Sequence, residues 1–105
     1  MIKAVISYSV PVEKQDEYLR YIREERKPFC EAHGCRAYNI FREVARENNK
    51  DIVAPEQLVT EALFDDAVAL ERFRELFDTE PLKSMNKRMF SFQTPGSNRH
   101  YVSVI

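Results

Sequence analysis

Two segments decide the fold, Arg36-Ala37-Tyr38-Asn39-Ile40-Phe41-Arg42-Glu43-Val44 and Gln57-Leu58-Val59-Thr60-Glu61-Ala62-Leu63-Phe64. Both have the β-branched and aromatic content of strands. Between them Ala45 to Glu56 is polar, with Asn48-Asn49-Lys50-Asp51 at its centre and Pro55 near its end. A hairpin needs roughly two to five linking residues, so a connection of about a dozen is longer than strand pairing demands. It reads as a lid, an arm toward another copy of the chain, or a tolerated insertion.

Working outward, Ile2 to Val10 is a first strand with Ile2, Ala4, Ile6, Tyr8 and Val10 on one face. Pro11 ends it, and Glu13, Asp16 and Glu17 open a helix whose macrodipole favours acids there. Tyr18, Leu19, Ile22, Phe29 and Cys30 keep a helical period, while Arg23-Glu24-Glu25-Arg26-Lys27 reads as its wet side. Pro28 predicts a bend, and Gly34 a stop at the C′ position. Beyond Phe64, Asp65 or Asp66 caps a helix with an Ala67, Leu70, Phe73, Leu76, Phe77 stripe. Thr79 and Pro81 restart the helix for Leu82, Met85, Met89 and Phe92. After the turn-rich Thr94-Pro95-Gly96-Ser97-Asn98, a closing strand runs from Tyr101 to Ile105.

The order is βαββαβ, an α+β fold of the ferredoxin-like type: an antiparallel sheet with helices on one face. Its other face still carries alternating apolar residues. A second copy of the chain covers such a face economically, giving a twofold homodimer through the open sheet face in which two sheets close into a dimeric α/β barrel.

Composition narrows the function. The 105 residues, 31% charged and 44% hydrophobic, make one domain over residues 1–105. A chain of this size gains from pairing with a second copy. The net charge of −1 argues against nucleic acid as a partner. No stretch is long and apolar enough to span a membrane, and Met1 to Ser7 lacks the h-region of a secretory signal, so the expected compartment is the cytoplasm. There Cys30 and Cys35 are expected to be free thiols at a helix end and a strand start. With only Gly34 and Gly96 there is no glycine-rich phosphate loop, and no His/Cys/Asp/Glu set has metal-binding spacing. No cofactor is expected. Lys83, Lys87 and Arg88 read as a solvated basic face on the last helix.

Three stretches carry a family resemblance. Val5-Ile6-Ser7-Tyr8-Ser9-Val10-Pro11-Val12-Glu13-Lys14, Gly34-Cys35-Arg36-Ala37-Tyr38-Asn39-Ile40-Phe41-Arg42-Glu43, and Glu61 with Phe64-Asp65-Asp66, Ala67 and Leu70 resemble the antibiotic biosynthesis monooxygenase family of the dimeric α/β-barrel superfamily. That resemblance implies a small aromatic or polyketide-like ligand and oxygenation without a cofactor. The family's reactive positions, an Asn on strand one, a Trp near the end of strand three and a His or aromatic residue on the next helix, fall at Ser7, Leu63 and Phe73. The chain has no Trp, which argues against haem degradation. His33-Gly34, Tyr38-Asn39-Ile40-Phe41 and Tyr18 are also similar to the L-rhamnose mutarotase family, but its catalytic His falls at Ile22, which transfers no proton.

Oxygenating a hydroquinone or anthrol requires a group that takes the phenol proton and a dry pocket for the anion. Glu61, mid-strand among apolar residues, is the expected base, with Asn39 as its catalytic partner. Ser7, Tyr38, Leu63, Phe73 and Met85 are the expected substrate-binding residues. The other readings are a cross-sheet or intersubunit salt bridge for Glu61 and an interface polar group for Asn39. Tyr8, Tyr18 and Tyr21 are expected to pack with their hydroxyls reaching water. His33 is expected to meet the last carbonyls of its helix, and His100 to flank the last strand. The alternative function is a non-catalytic, ligand-binding or structural homodimer of the same fold.

Overall fold

Ile2–Ser9 forms β1, followed by α1 (Val12–Tyr21), a π-helical turn (Ile22–Arg26) and α2 (Lys27–Ala32). Next come β2 (Cys35–Glu47), β3 (Lys50–Phe64), α3 (Ala67–Glu75), a 3₁₀ turn (Leu76–Asp78), α4 (Leu82–Phe92) and β4 (Arg99–Val102). This is a computed structural model that describes residues 1–103. All pairings are antiparallel, in the order β2-β3-β1-β4, so the expected α+β architecture is observed.

Strand parity sorts the side chains. Ile2, Ala4, Ile6 and Tyr8 of β1 lie opposite Phe64, Ala62, Thr60 and Leu58 of β3. Tyr38 and Ile40 of β2 continue the Ala62 and Thr60 rows. This face carries the core, where Tyr8, Leu58 and Phe64 meet Tyr18, Leu70, Leu82, Met89 and Phe92 from the helices. The other face presents Val5, Ser7, Val59, Glu61, Leu63 and Asn39, and among the described residues no helix covers it.

Five local expectations are corrected. The polar stretch from Ala45 to Glu56 is no loose loop: β2 and β3 run on as a hairpin arm whose turn is Asn48-Asn49, both with positive φ (51° and 62°). Asparagine tolerates the left-handed region that a two-residue turn requires. A bulge lies at the base of the arm, because Arg42 pairs with Leu58 while Val44 pairs with Val53. Pro55, which has no N–H for the ladder, sits in that bulge, and its carbonyl accepts from Gln15 Nε2 (2.6 Å) and Arg42 Nη1 (2.8 Å).

The first helix is divided by its π turn, so Pro28 falls in the opening turn of α2, where a missing N–H costs least. Arg26, expected on the wet side, is 5% exposed and belongs to the interior. The Tyr8, Tyr18 and Tyr21 hydroxyls bond inside the protein rather than to water, that of Tyr21 to the Met85 carbonyl. β4 starts at Arg99, two residues earlier than expected, and the expected strand residues Val104 and Ile105 lie outside the described residues. Asp66 caps α3 as expected, accepting from the Ala69 N–H at 2.9 Å.

Candidate functional site

A cavity of about 110 Å³ lies between the covered face of the sheet and α3 and α4. Ala4, Ala62, Phe64, Leu70, Phe73 and Met89 form apolar walls. Arg74, Phe77, His100 and Tyr101 line it as well and are exposed, which places its mouth between α3 and β4.

The inner end is polar. Tyr8 Oη and Thr60 Oγ1 are 2.7 Å apart, and the Tyr18 hydroxyl donates to Tyr8 Oη at 2.7 Å. Tyr8 and Thr60 come from neighbouring strands on the covered face, and α1 sets Tyr18 above them with its ring edge-on to Tyr8, centroids 5.8 Å apart. Beside this group, Arg26 Nε donates to Tyr38 Oη at 3.2 Å, and Arg26 Nη1 donates to Asn86 Oδ1 at 2.7 Å. The π turn brings Arg26 there. Its wider winding keeps Tyr18, Ile22, Arg26 and Cys30, each four residues apart, on one buried line.

Burial sets the protonation states. It pushes the phenols of Tyr8, Tyr18 and Tyr38 above the ordinary tyrosine range, so they are neutral donors and acceptors near neutrality. The same cause pushes the Cys30 thiol up to about 12. For Arg26 burial opposes the charge, but the nearby Tyr38 and Cys30 outweigh it, and the group stays a cation with its pKa above the usual value. Among the described residues Arg26 forms no ion pair, and none of the cavity's lining residues is Asp or Glu.

The expected site residues divide between the two faces of the sheet. Tyr38 and Phe73 line the cavity. Met85 packs against the core without lining it, and its carbonyl accepts from the Tyr21 hydroxyl at 2.8 Å. Ser7, Asn39, Glu61 and Leu63 stand on the uncovered face, with Glu61 paired to Val5 and Asn39 in register. Glu61 Oε1 accepts from Lys3 Nζ at 3.2 Å, and Asn39 Oδ1 from Lys27 Nζ at 3.5 Å. The sequence reading missed Tyr8, Arg26, Thr60, Gln93 and His100 as cavity residues. The signal for Arg26 was the four-residue ladder through Ile22 and Cys30, and for Tyr8 and Thr60 it was strand parity. His33 meets its helix end as expected, Nδ1 lying 2.8 Å from the Phe29 carbonyl, and both cysteines are free and buried. No group of three or more His, Cys, Asp or Glu among the described residues is placed to hold a metal ion. No helix among them is long and apolar enough to cross a membrane.

Chemically, the cavity can hold a flat apolar ring, hydrogen-bond an oxygen on it through Tyr8 or Tyr38, and stabilise negative charge near Arg26.

No known family profile and no curated protein matches the sequence. Solved structures do match the fold. HapK from Hahella chejuensis superposes with a TM-score of 0.69 at 11% identity, over 100% of this chain and 92% of its own. An antibiotic biosynthesis monooxygenase gives 0.67 at 18% identity, over 100% of this chain and 98% of its own. SnoaB, a cofactor-independent oxygenase from Streptomyces nogalater, gives 0.63 at 14%, over 99% of this chain and 91% of its own. The chain therefore has the ferredoxin-like fold of the antibiotic biosynthesis monooxygenase-like proteins, and at these identities the likeness speaks for the fold alone.

Proposed function

We propose that this protein is a homodimer that binds a small aromatic molecule bearing ionisable hydroxyls in the cavity between sheet and helices, and oxygenates it in the manner of the cofactor-independent monooxygenases. The observation that carries this reading is the cavity itself, with apolar walls and an inner end built from Tyr8, Thr60, Tyr38 and Arg26. The hydroxyls position the ligand oxygen, the guanidinium stabilises the phenolate, and the walls keep water from the oxygenated intermediate. For a phenolic ring the reaction balances as one C–H oxidised to a carbonyl by one O₂, the second oxygen atom leaving as water.

In this reading Glu61 and Asn39 belong to the dimer face, since they stand across the sheet from the cavity. The half-exposed Val5, Val59 and Leu63, with the exposed Phe41 and Tyr101, form the apolar part of that face. One observation favours the alternative of a binding protein without turnover. Among the described residues the inner end of the cavity has no carboxylate, and its buried phenols ionise only above the usual range, so beside Tyr8 and Tyr38 there is no general base, the one imidazole, His100, standing at the mouth.

Native mass spectrometry, alone and with a panel of hydroquinones and anthrols, followed by oxygen-electrode assays on whatever binds, tests both readings. A dimer that binds one ligand per chain and consumes oxygen supports the oxygenase. Binding without oxygen uptake supports the alternative, and a monomer whose melting point ignores dilution removes the barrel architecture.

A further inference from the structure

We infer that the ligand enters this cavity as an anion, and that its class is a one-ring aromatic acid whose carboxylate sits on Arg26. The inference deepens the cavity reading above and rests on it.

Three observations lead there. First, Arg26 is 5% exposed and lines the cavity, yet its hydrogen-bonding partners are the neutral Tyr38 hydroxyl and Asn86 amide oxygen. Tyr38 and Cys30 carry a charge that favours the guanidinium only when ionised at alkaline pH, so near neutrality it lies out of water without a counter-charge, and a ligand carboxylate supplies one. Second, Arg26 is held in place at the cavity wall, Nε on the Tyr38 hydroxyl and Nη1 on Asn86, so its guanidinium is fixed where a ligand in the cavity meets it. Arginine offers a planar fork of N–H donors, which suits the two oxygens of a carboxylate. Third, no Asp or Glu among the described residues lines the cavity, and Arg74, which stands toward the mouth with His100, is paired with Glu71 at 2.9 Å. Inside the mouth an anion meets no carboxylate.

Size sets the rest of the class. A cavity of about 150 Å³ lined by apolar side chains accommodates benzene. At about 110 Å³ this one is smaller and open at its mouth, so at most a single ring fits within it and fused rings extend out through the mouth.

The test compares benzoate with its neutral isostere benzamide on the full chain at pH 7.5 by calorimetry, with hydroquinone as a third probe. Benzoate is expected to bind roughly tenfold or more tightly than benzamide, the usual margin for a charge-assisted hydrogen bond. Arg26→Gln is expected to erase that preference, with circular dichroism checking that the variant is folded. Should it not fold, the Arg26 Nε–H resonance of the wild-type protein is the second readout, expected to shift with benzoate and stay put with benzamide. Equal affinity for acid and amide overturns the anion while leaving the cavity reading intact, as does binding of hydroquinone alone. Benzoate binding that ignores Arg26→Gln, or leaves the Nε–H signal unmoved, places the acid elsewhere and overturns the assignment. Failure of all three probes to bind overturns the cavity reading as well.

Discussion

The two faces of the sheet are built from adjacent residues and have opposite fates. Tyr8, Tyr38 and Thr60 point under the helices, where all three are buried and reach the cavity. Their sequence neighbours Ser7, Asn39 and Glu61 stand on the other side, Glu61 held by Lys3 and Asn39 in contact with Lys27. A one-residue step in a strand carries a side chain through the sheet. Here that step separates a water-poor site of hydroxyls and one guanidinium from a face of half-exposed aliphatics and ion pairs. Chemistry-bearing residue types are therefore poor guides to a site unless parity is assigned first: Glu61 is the more reactive group on paper, and Thr60 is the one in the cavity.

The sharpest test of this division lies at the end of β3. Phe64 is 1% exposed and packs against Phe73, ring centroids 5.6 Å apart. Phe64→Ala is expected to cost about 3–5 kcal/mol in urea denaturation. Leu63→Ala next door is expected to cost well under half of that in dilute solution, where its face is uncovered. Equal costs would show the faces to be equally buried. A Leu63→Ala penalty that grows with protein concentration would locate the second copy on the open face.

A smaller effect is expected from the pair at the other end of the row. Tyr8→Phe removes the hydroxyl that bonds both Thr60 and Tyr18, leaving those two buried groups short of a partner. The expected cost is about 1–3 kcal/mol. Ser7→Ala, on the open face, is expected to stay within about 0.5 kcal/mol. If both substitutions are neutral, the Tyr8 hydroxyl has found water, as the sequence alone suggested.

Alkaline pH probes the covered face as a whole. The folded-state pKa values of Tyr8, Tyr18, Tyr38 and Cys30 are all raised by burial, so the unfolded chain gives up these protons first. Their contribution to stability is complete below the unfolded thiol and phenol pKa values. It is lost as pH rises, from about pH 9 for Cys30, whose thiol reaches about 12, and from about pH 10 for the phenols. Melting temperatures from pH 8 to 11 are expected to fall across that window, with Cys30 resisting iodoacetamide at pH 8 until the chain unfolds. A flat profile would mean that the covered face is wet.

These contrasts also explain what could be read in advance. The element order was legible because β1, the main part of β3 and the stripes of α3 and α4 each have one buried side, which imprints a period on the sequence. The hairpin arm was not, because Val44, Ile52 and Val53 are all about half exposed and burial imposed no alternation around Asn48-Asn49. Arg26 was hidden by its type. Within Arg23-Glu24-Glu25-Arg26-Lys27 nothing marks one charge as interior except its place four residues from Ile22 and from Cys30, and the π turn that exploits this spacing has no compositional signature. Of the seven residues singled out for the site, Tyr38 and Phe73 reach the cavity, both aromatic and both on buried stripes.

The smallest expected effect is the one that discriminates most between the faces. Glu61 and Lys3 are 30% and 48% exposed along their side chains, so their 3.2 Å ion pair is screened by solvent. Removing it by Glu61→Gln is expected to change stability by about 0.2–1 kcal/mol, and by less at high salt. It is expected to leave ligand binding and any oxygen uptake at wild-type levels, because the sheet separates the carboxylate from the cavity. A base role makes the opposite demand: turnover is lost while the melting temperature stays put. An effect on turnover at constant stability would therefore move the reactive site to the open face. An effect on stability that appears only at concentrations where the protein is dimeric would instead identify Glu61 as part of the interface, where burial against the second sheet strengthens its pairing and raises the cost of breaking it.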